Sequence, residues 1–243
     1  MTDALRVENV RFSFGGEPLL AGVSLNVATG GMLAIAGRSG CGKTTLLEIC
    51  ASLRQPQGGA VLWDGVDLAS LPRAELMRRR QGIGYVFQKH ALIHNFTVYD
   101  NIALPLRYHR HMAEHNVRQA VHACIEEFGL RDVDKRFPNE LSAAQSRCAA
   151  IARAVVMGPT MLFLDEPTSG VDPVTAEAIA RALLAMNASR RLTVVAACNN
   201  VDVLKMLSCP VAVLDSGTLR DYRDAAAAQG NRANIFTVLQ KSL

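Results

Sequence analysis

The segment GRSGCGKT, Gly37 to Thr44, has the spacing of glycine, lysine and hydroxyl residues that cradles a chain of phosphates. Glycines at 37, 40 and 42 let the backbone curl until its N–H groups point inward at phosphate oxygens. Arg38, Ser39, Cys41 and Thr45 complete the phosphate-binding stretch, with Cys41 as a small filler. Lys43 is placed to reach β- and γ-phosphates, and Thr44 to offer its hydroxyl to Mg²⁺. An acidic pair follows in MLFLDEP. Asp165 suits holding Mg²⁺ through water, and Glu166 suits taking a proton from an attacking water. Alone, two acids after a strand would only favour the next helix; beside a phosphate loop they complete a hydrolytic site. No NKxD motif follows, which sets guanine-reading enzymes aside.

These groups need rigid supports. MLAIA reads as a buried strand and TTLLEICASL as the helix it feeds, the setting a phosphate loop requires. LRVENVRFSF alternates apolar and polar residues as a strand does, and VSLNV, AVLWDG and IGYVFQ read as further strands. From about Lys89 to Gly158 the pattern turns helical. HMAEHNVRQAVHACIEEFGL gathers Val117, Val121, Cys124, Ile125 and Phe128 on one face, and AAIARAVVM is a second helix. MLFLDE, LTVVAAC and PVAVLDSG then read as strands, with TAEAIARALLAM as a helix between the first two. Strands alternating with helices predict an α/β fold with a mainly parallel sheet. The N-terminal strands supply an antiparallel β edge. The domain is predicted to span 1–222, with a helical subdomain inserted over about 89–158. Residues 223–243 are predicted to form a helical tail. Its NIFTVLQ segment reads as a packed terminal helix or as a clasp on a neighbouring subunit.

At 243 residues the chain holds one large domain but hardly two independent cores. A formal charge of +4 is too mild to indicate nucleic acid, and none is expected as a partner. Arg78, Arg79 and Arg80 read as a solvated helix face, with lipid head groups as the sharper alternative. No stretch reaches the roughly 20 apolar residues of a spanning helix, and MTDALRVENV lacks the apolar core of a secretory signal. A cytoplasmic protein is expected. Six scattered cysteines without a CxxC pair read as reduced thiols. His111 and His115 are four residues apart, close to His109, and could share a helix face. No acid is evident to complete a metal site, so surface histidines are expected there. His90 and His94 read as interface packing.

The ordered set of motifs resembles an ABC transporter ATP-binding subunit from about Leu5 to Leu219. The resemblance implies that the nucleotide is ATP, with Mg²⁺. It places Phe14, in RFSFGG, where the family stacks an aromatic on adenine, although an aromatic at a strand end serves equally as core. Gln88, in GYVFQ, matches the glutamine that senses both Mg²⁺ and the membrane partner. LSAAQ, Leu141 to Gln145, stands in place of LSGGQ, so Ser142 and Gln145 would face ATP bound by a second subunit. DEPTSGVDP, Asp165 to Pro173, matches the acidic strand end running into a loop whose acid is Asp172. The resemblance further implies transmembrane permease subunits, a dimer of ATP-binding subunits, and a peripheral position on the inner face of the cell membrane. KHALIHNFTVYDNIALPLRYH, Lys89 to His109, and SRCAAIARA, Ser146 to Ala154, are most similar to ATPases of bacterial maintenance-of-lipid-asymmetry and Mce-associated systems. Relatives in such systems imply lipid as cargo and a small regulatory subunit at the C-terminal tail; lipoprotein-exporting and amino-acid-importing relatives are the nearest rivals.

Two departures bear on turnover. Ala143 and Ala144 replace the two signature glycines, and would cost about 1–2 kcal/mol of strain if either position requires positive φ. Cys198, Asn199 and Asn200 stand where the family commonly has THD. All six histidines lie between 90 and 122, so none can replace the lost one. Asn199 keeps a donor but cannot titrate, and losing one donor aimed at transition-state charge typically costs about 10²–10³ in rate. The alternative to a working motor is therefore an ATP-binding pseudo-ATPase that regulates or scaffolds a complex.

Overall fold

The computed structural model describes residues 2–89, 91–110 and 112–222. The predicted tail 223–243, His90 and His111 lie outside the described residues. The chain opens with a hairpin of β1 (Asp3–Phe14) and β2 (Glu17–Ala28). Gly15 and Gly16 turn it at positive φ, as a two-residue hairpin loop requires. The second strand begins well before VSLNV, because Pro18, Leu20 and Ala21 pair with Ser13, Phe12 and Arg11 once the turn is made. β1 also pairs with β4 (Gly58–Trp63), which pairs with β5 (Val66–Asp67). The antiparallel strands expected at the edge thus form a four-stranded sheet of their own, in the order β2-β1-β4-β5.

Among the described residues the main sheet has six strands. These are β3 (Met32–Ala36), β6 (Ile83–Val86), β7 (Met161–Asp165), β8 (Thr193–Ala197), β9 (Val211–Asp215) and β10 (Thr218–Tyr222). Their spatial order is β10-β9-β3-β8-β7-β6, parallel except for β10, which folds back on β9. Alternate residues feed two separate cores. Leu33, Ile35, Met161, Phe163 and Val195 pack toward the antiparallel sheet and α1 (Lys43–Cys50). Ala34, Ala36, Leu162, Leu164, Val194 and Ala196 pack toward the helices on the other face. A sheet covered on both faces accounts for strands that read as unbroken apolar runs.

The helices are α2 (Arg73–Arg80), α3 (Val98–Arg110), α4 (Glu114–Glu127), α5 (Ala143–Val155), α6 (Pro173–Arg190) and α7 (Val201–Leu207). α3, α4 and α5 lie within residues 89–158, with Val117, Val121, Cys124 and Ile125 buried as the periodicity required. α2 buries no residue fully. Three of its four arginines are nevertheless tethered: Arg78 and Arg79 pair with Glu75, and Arg80 donates to the carbonyl of Ser52. All six cysteines are free thiols, four of them buried.

Four loops leave the same edge of the main sheet side by side. They follow β3, β8, β7 and β6, which are neighbours in that order. Ligands of open parallel sheets bind beyond the carboxyl ends of the strands, and the predicted chemistry lies there.

Candidate active site

The loop after β3 begins at Gly37, where geometry leaves no choice of residue. Its φ is 152°, and a Cβ would sit 2.4 Å from the carbonyl oxygen of Leu214. Gly40 and Gly42, at φ 79° and 106°, complete the curl into α1. Lys43 is buried, and its ammonium donates to the carbonyls of Gly37 and Arg38 at 2.9 and 3.0 Å. The charge is thereby held across the mouth of the loop. Cys41 does not join the cavity. Its thiol packs with the core beneath Gly37, and its N–H donates to the Arg38 carbonyl at 3.2 Å. Cys41 therefore acts as the filler, not as a group facing a ligand; Gly37 and Arg38 contribute carbonyls from outside the cavity wall.

A cavity of about 260 Å³ collects the other predicted groups. Its wall is made by Ser39, Gly40, Gly42, Lys43, Thr44 and Thr45 of the loop and α1. Phe14 stands at one end; Gln88, Glu166 and Asn199 come from the loops after β6, β7 and β8. Asp165 lies behind this wall, 2% exposed. Its Oδ2 accepts from the Thr44 hydroxyl at 2.8 Å, while its buried Oδ1 has no hydrogen-bond partner. Burial raises the Asp165 pKa, opposed by the Thr44 hydrogen bond and by Lys43. A buried hydroxyl–carboxylate pair with one oxygen unsatisfied fits a hard cation such as Mg²⁺, which takes few protein ligands and keeps waters and phosphate oxygens for the rest. Among the described residues no cluster of three or more His, Cys, Asp or Glu could hold a metal ion.

Glu166 occupies the left-handed region at φ 50°, a strained position for a side-chain-bearing residue. Its N–H donates to the Ala197 carbonyl at 2.9 Å, which ties it to the end of β8. Burial raises its pKa, with Lys43 opposing, so it is more basic than a free carboxylate and better able to accept a proton. The N–H of Asn199 lies 3.4 Å from Glu166 Oε2, and the Asn199 side-chain oxygen is buried without a partner. Asp172 caps α6, accepting from the N–H and hydroxyl of Thr175.

Ser142 and Gln145 stand apart from this cavity. Ser142 Oγ accepts from the Gln145 N–H at 3.1 Å, and the Gln145 side chain accepts from the Ser142 N–H at 3.0 Å. This reciprocal cap starts α5. Ala143 and Ala144 fall in its first turn, and neither has positive φ. The conditional strain penalty does not arise: alanine suits these positions better than glycine by up to about 1 kcal/mol each. Only the added Cβ atoms remain as a departure.

Sequence reasoning missed Arg147 and Asn101. The guanidinium of Arg147 is buried on α5 and donates to the carbonyls of Phe87 at 3.1 Å, Gln88 at 3.0 Å and Ser169 at 3.4 Å. It joins the signature helix to the glutamine loop and to the segment after Glu166. Asn101 is fully buried, donates to the carbonyls of Ile93, Phe96 and Thr97, and fixes the next stretch of that loop. An arginine in SRCAAIARA reads as a surface charge, and only the tertiary fold turns it inward.

Residues 20–169 match the family described as ABC transporter. The chain belongs to the ABC transporter family. Its ATP-binding fold is that of an ABC ATPase, and it superposes on a dimeric ATP-binding cassette, MJ0796, in a post-hydrolysis state bound to ADP and Pi. The TM-score is 0.83, at 31% identity over 90% of this chain and 98% of that one. It is also similar to cbiO1 of Clostridium perfringens, described as part of the ABC transporter complex cbiONQ, with a TM-score of 0.82 at 25% identity over 99% of both chains. Among curated relatives, this ABC ATPase is 35% identical to a methionine import ATP-binding protein of Mannheimia succiniciproducens, over 96% of its own length and 66% of the relative's. It is equally, 35%, identical to an intermembrane phospholipid transport system ATP-binding protein of Haemophilus influenzae, over 97% of its own length and 90% of the relative's. No described helix is long and apolar enough to cross a membrane.

Proposed function

We propose that the chain binds Mg-ATP in the 260 Å³ cavity, hydrolyses it as part of a dimer, and drives phospholipid transport by separate membrane subunits from the inner face of the membrane. The observation that carries this reading is the convergence of the phosphate loop, Phe14, Gln88, Glu166 and Asn199 on one cavity, backed by Asp165. Loop N–H groups and Lys43 hold the phosphates. Thr44 and Asp165 would hold Mg²⁺, which neutralises charge between the β- and γ-phosphates when bound. Glu166 takes the proton of the attacking water. Ser142 and the first-turn N–H groups of α5 serve the ATP of the second subunit, because nothing in their own cavity lies against them.

A second cavity, about 540 Å³, supports a membrane partner. It lies between β6, α3 and α5 and is lined by Tyr85, Phe87, Leu104, Tyr108 and Arg153. Phe87 is 41% and Tyr108 73% exposed, an apolar surface next to Gln88. Phospholipid rather than methionine is favoured by the resemblance of Lys89–His109 and Ser146–Ala154 to lipid-system ATPases. Reconstitution with the membrane subunits tests the reading. Phospholipid is expected to stimulate ATP turnover and methionine to leave it unchanged; stimulation by methionine alone would overturn the lipid assignment. The specific support for a pseudo-ATPase is Asn199, which places no titratable group beside Glu166.

A further inference from the structure

Phe14 is 54% exposed at the cavity's end, on a strand terminus that the main sheet does not support. What holds it comes from the segment after α1. The Arg54 guanidinium carbon lies 5.3 Å from the Phe12 ring centroid and 5.4 Å from that of Phe14. The two rings meet edge-to-face with centroids 5.0 Å apart. Arg54 is itself aimed by Glu48 on α1, whose Oε2 accepts from Arg54 Nε at 2.8 Å. Three residues on, Gln57 binds Ser13 as a neighbouring strand would. Its Oε1 accepts from the Ser13 N–H at 2.8 Å and from the Ser13 hydroxyl at 2.7 Å, and its Nε2 donates to the Ser13 carbonyl at 3.2 Å. The Gln57 N–H adds a bond to the Arg11 carbonyl at 2.9 Å.

One continuous segment therefore carries both ends of the site. Lys43 and Thr44 open α1 at the phosphates, and Arg54 and Gln57 grip the strand end that bears Phe14. Eight helical residues, about 12 Å of α1, set the spacing between them. We infer that Arg54, aimed by Glu48 and seconded by Gln57, is a positioning residue for the purine ring: it fixes the Phe14 platform on which adenine stacks. The inference rests on the proposed nucleotide site. A cation over an aromatic face also holds the ring in one orientation, so the platform is preorganised before the base arrives.

The test compares equilibrium binding of Mg-ATP and of inorganic tripolyphosphate to the full chain. Arg54→Met keeps the aliphatic stem and removes the charge. It is expected to weaken Mg-ATP binding by about 2–5-fold and to leave tripolyphosphate unchanged. Arg54→Lys is expected to recover most of the loss. In a Phe14→Ala background Arg54→Met should weaken binding no further, since the platform it positions is gone. Unchanged ATP affinity in Arg54→Met would overturn the inference. So would an equal loss for both ligands, the signature of damage to α1, or an undiminished loss in the Phe14→Ala background. Lys43→Ala separates the two levels: if it binds both ligands as well as the wild type does, the nucleotide-site reading fails, not the role of Arg54.

Discussion

The substitution Asp165→Asn should make the metal-free protein more stable while weakening its response to Mg-ATP. Asp165 is 2% exposed, and one of its oxygens has no partner. An unsatisfied buried acceptor costs about 1–3 kcal/mol, and more when charged. The amide would keep the side-chain shape and the acceptor for Thr44, and its NH2 would still lack a partner, so the gain comes from removing the buried charge alone. The net gain expected in EDTA at neutral pH is about 1–2 kcal/mol, which for a chain of this size raises Tm by about 2–8 °C. Burial raises the Asp165 pKa, so the folded chain binds this proton more tightly than the unfolded chain does. The carboxylate's cost is then absent below the unfolded carboxylate range, near pH ~3.9, and grows as pH rises through the higher folded value. The Tm gap between variant and wild type should therefore narrow in acid. Adding Mg²⁺ with ATP should raise Tm in the wild type and much less in the variant. Thermal melts with EDTA, with ATP and with Mg-ATP, at neutral and acid pH, check all three. A variant that melts at or below the wild type in EDTA at neutral pH would show that the buried charge carries no such cost, as would a gap that widens in acid.

Two further outcomes follow from the departures in the sequence. Asn199→His restores an imidazole to the cavity wall beside Glu166 and should raise ATP turnover about tenfold or more, with KM for ATP little changed; steady-state phosphate release measures it, and unchanged kcat would show that this position does not limit the reaction. Converting Ala143 and Ala144 together to glycine should lower stability by up to about 1 kcal/mol per site, because both are in the first turn of α5. A urea titration reads the loss, and a stabilised variant would mean that these residues do not hold helical φ.

The phosphate loop was legible because three requirements coincide in a short stretch: glycines where a Cβ clash or a positive φ excludes other residues, a lysine, and a hydroxyl at the start of a helix. The Gly37 clash with the Leu214 carbonyl shows why that spelling is obligatory. The parallel sheet was legible from period and length, and Asp165 and Glu166 from their place at a strand end. Long-range packing was not. The grip of Arg54 and Gln57 on the Phe14 strand joins segments far apart in the chain, and nothing local marks them. Arg147 reads as a surface charge until the glutamine loop wraps it. Helix α5 decides the conditional strain at Ala143 and Ala144. Glycines at a signature suggest positive φ, but the Ser142–Gln145 cap starts the helix before them, so alanine is at ease there. The separate four-stranded sheet was hidden because β1 and β2 alternate just as an edge of the main sheet would.

The reading of this chain as a motor depends on the cavity that holds Glu166 and the phosphate loop turning ATP over. The decisive measurement is steady-state phosphate release by the chain assembled with its partners, set against the same assembly carrying Glu166→Gln. Clear turnover is expected in the wild type, with a loss of at least about 10² in the variant and undiminished ATP binding in both. Turnover in the wild type no greater than in Glu166→Gln would contradict a hydrolytic role and leave a protein that binds ATP without cleaving it.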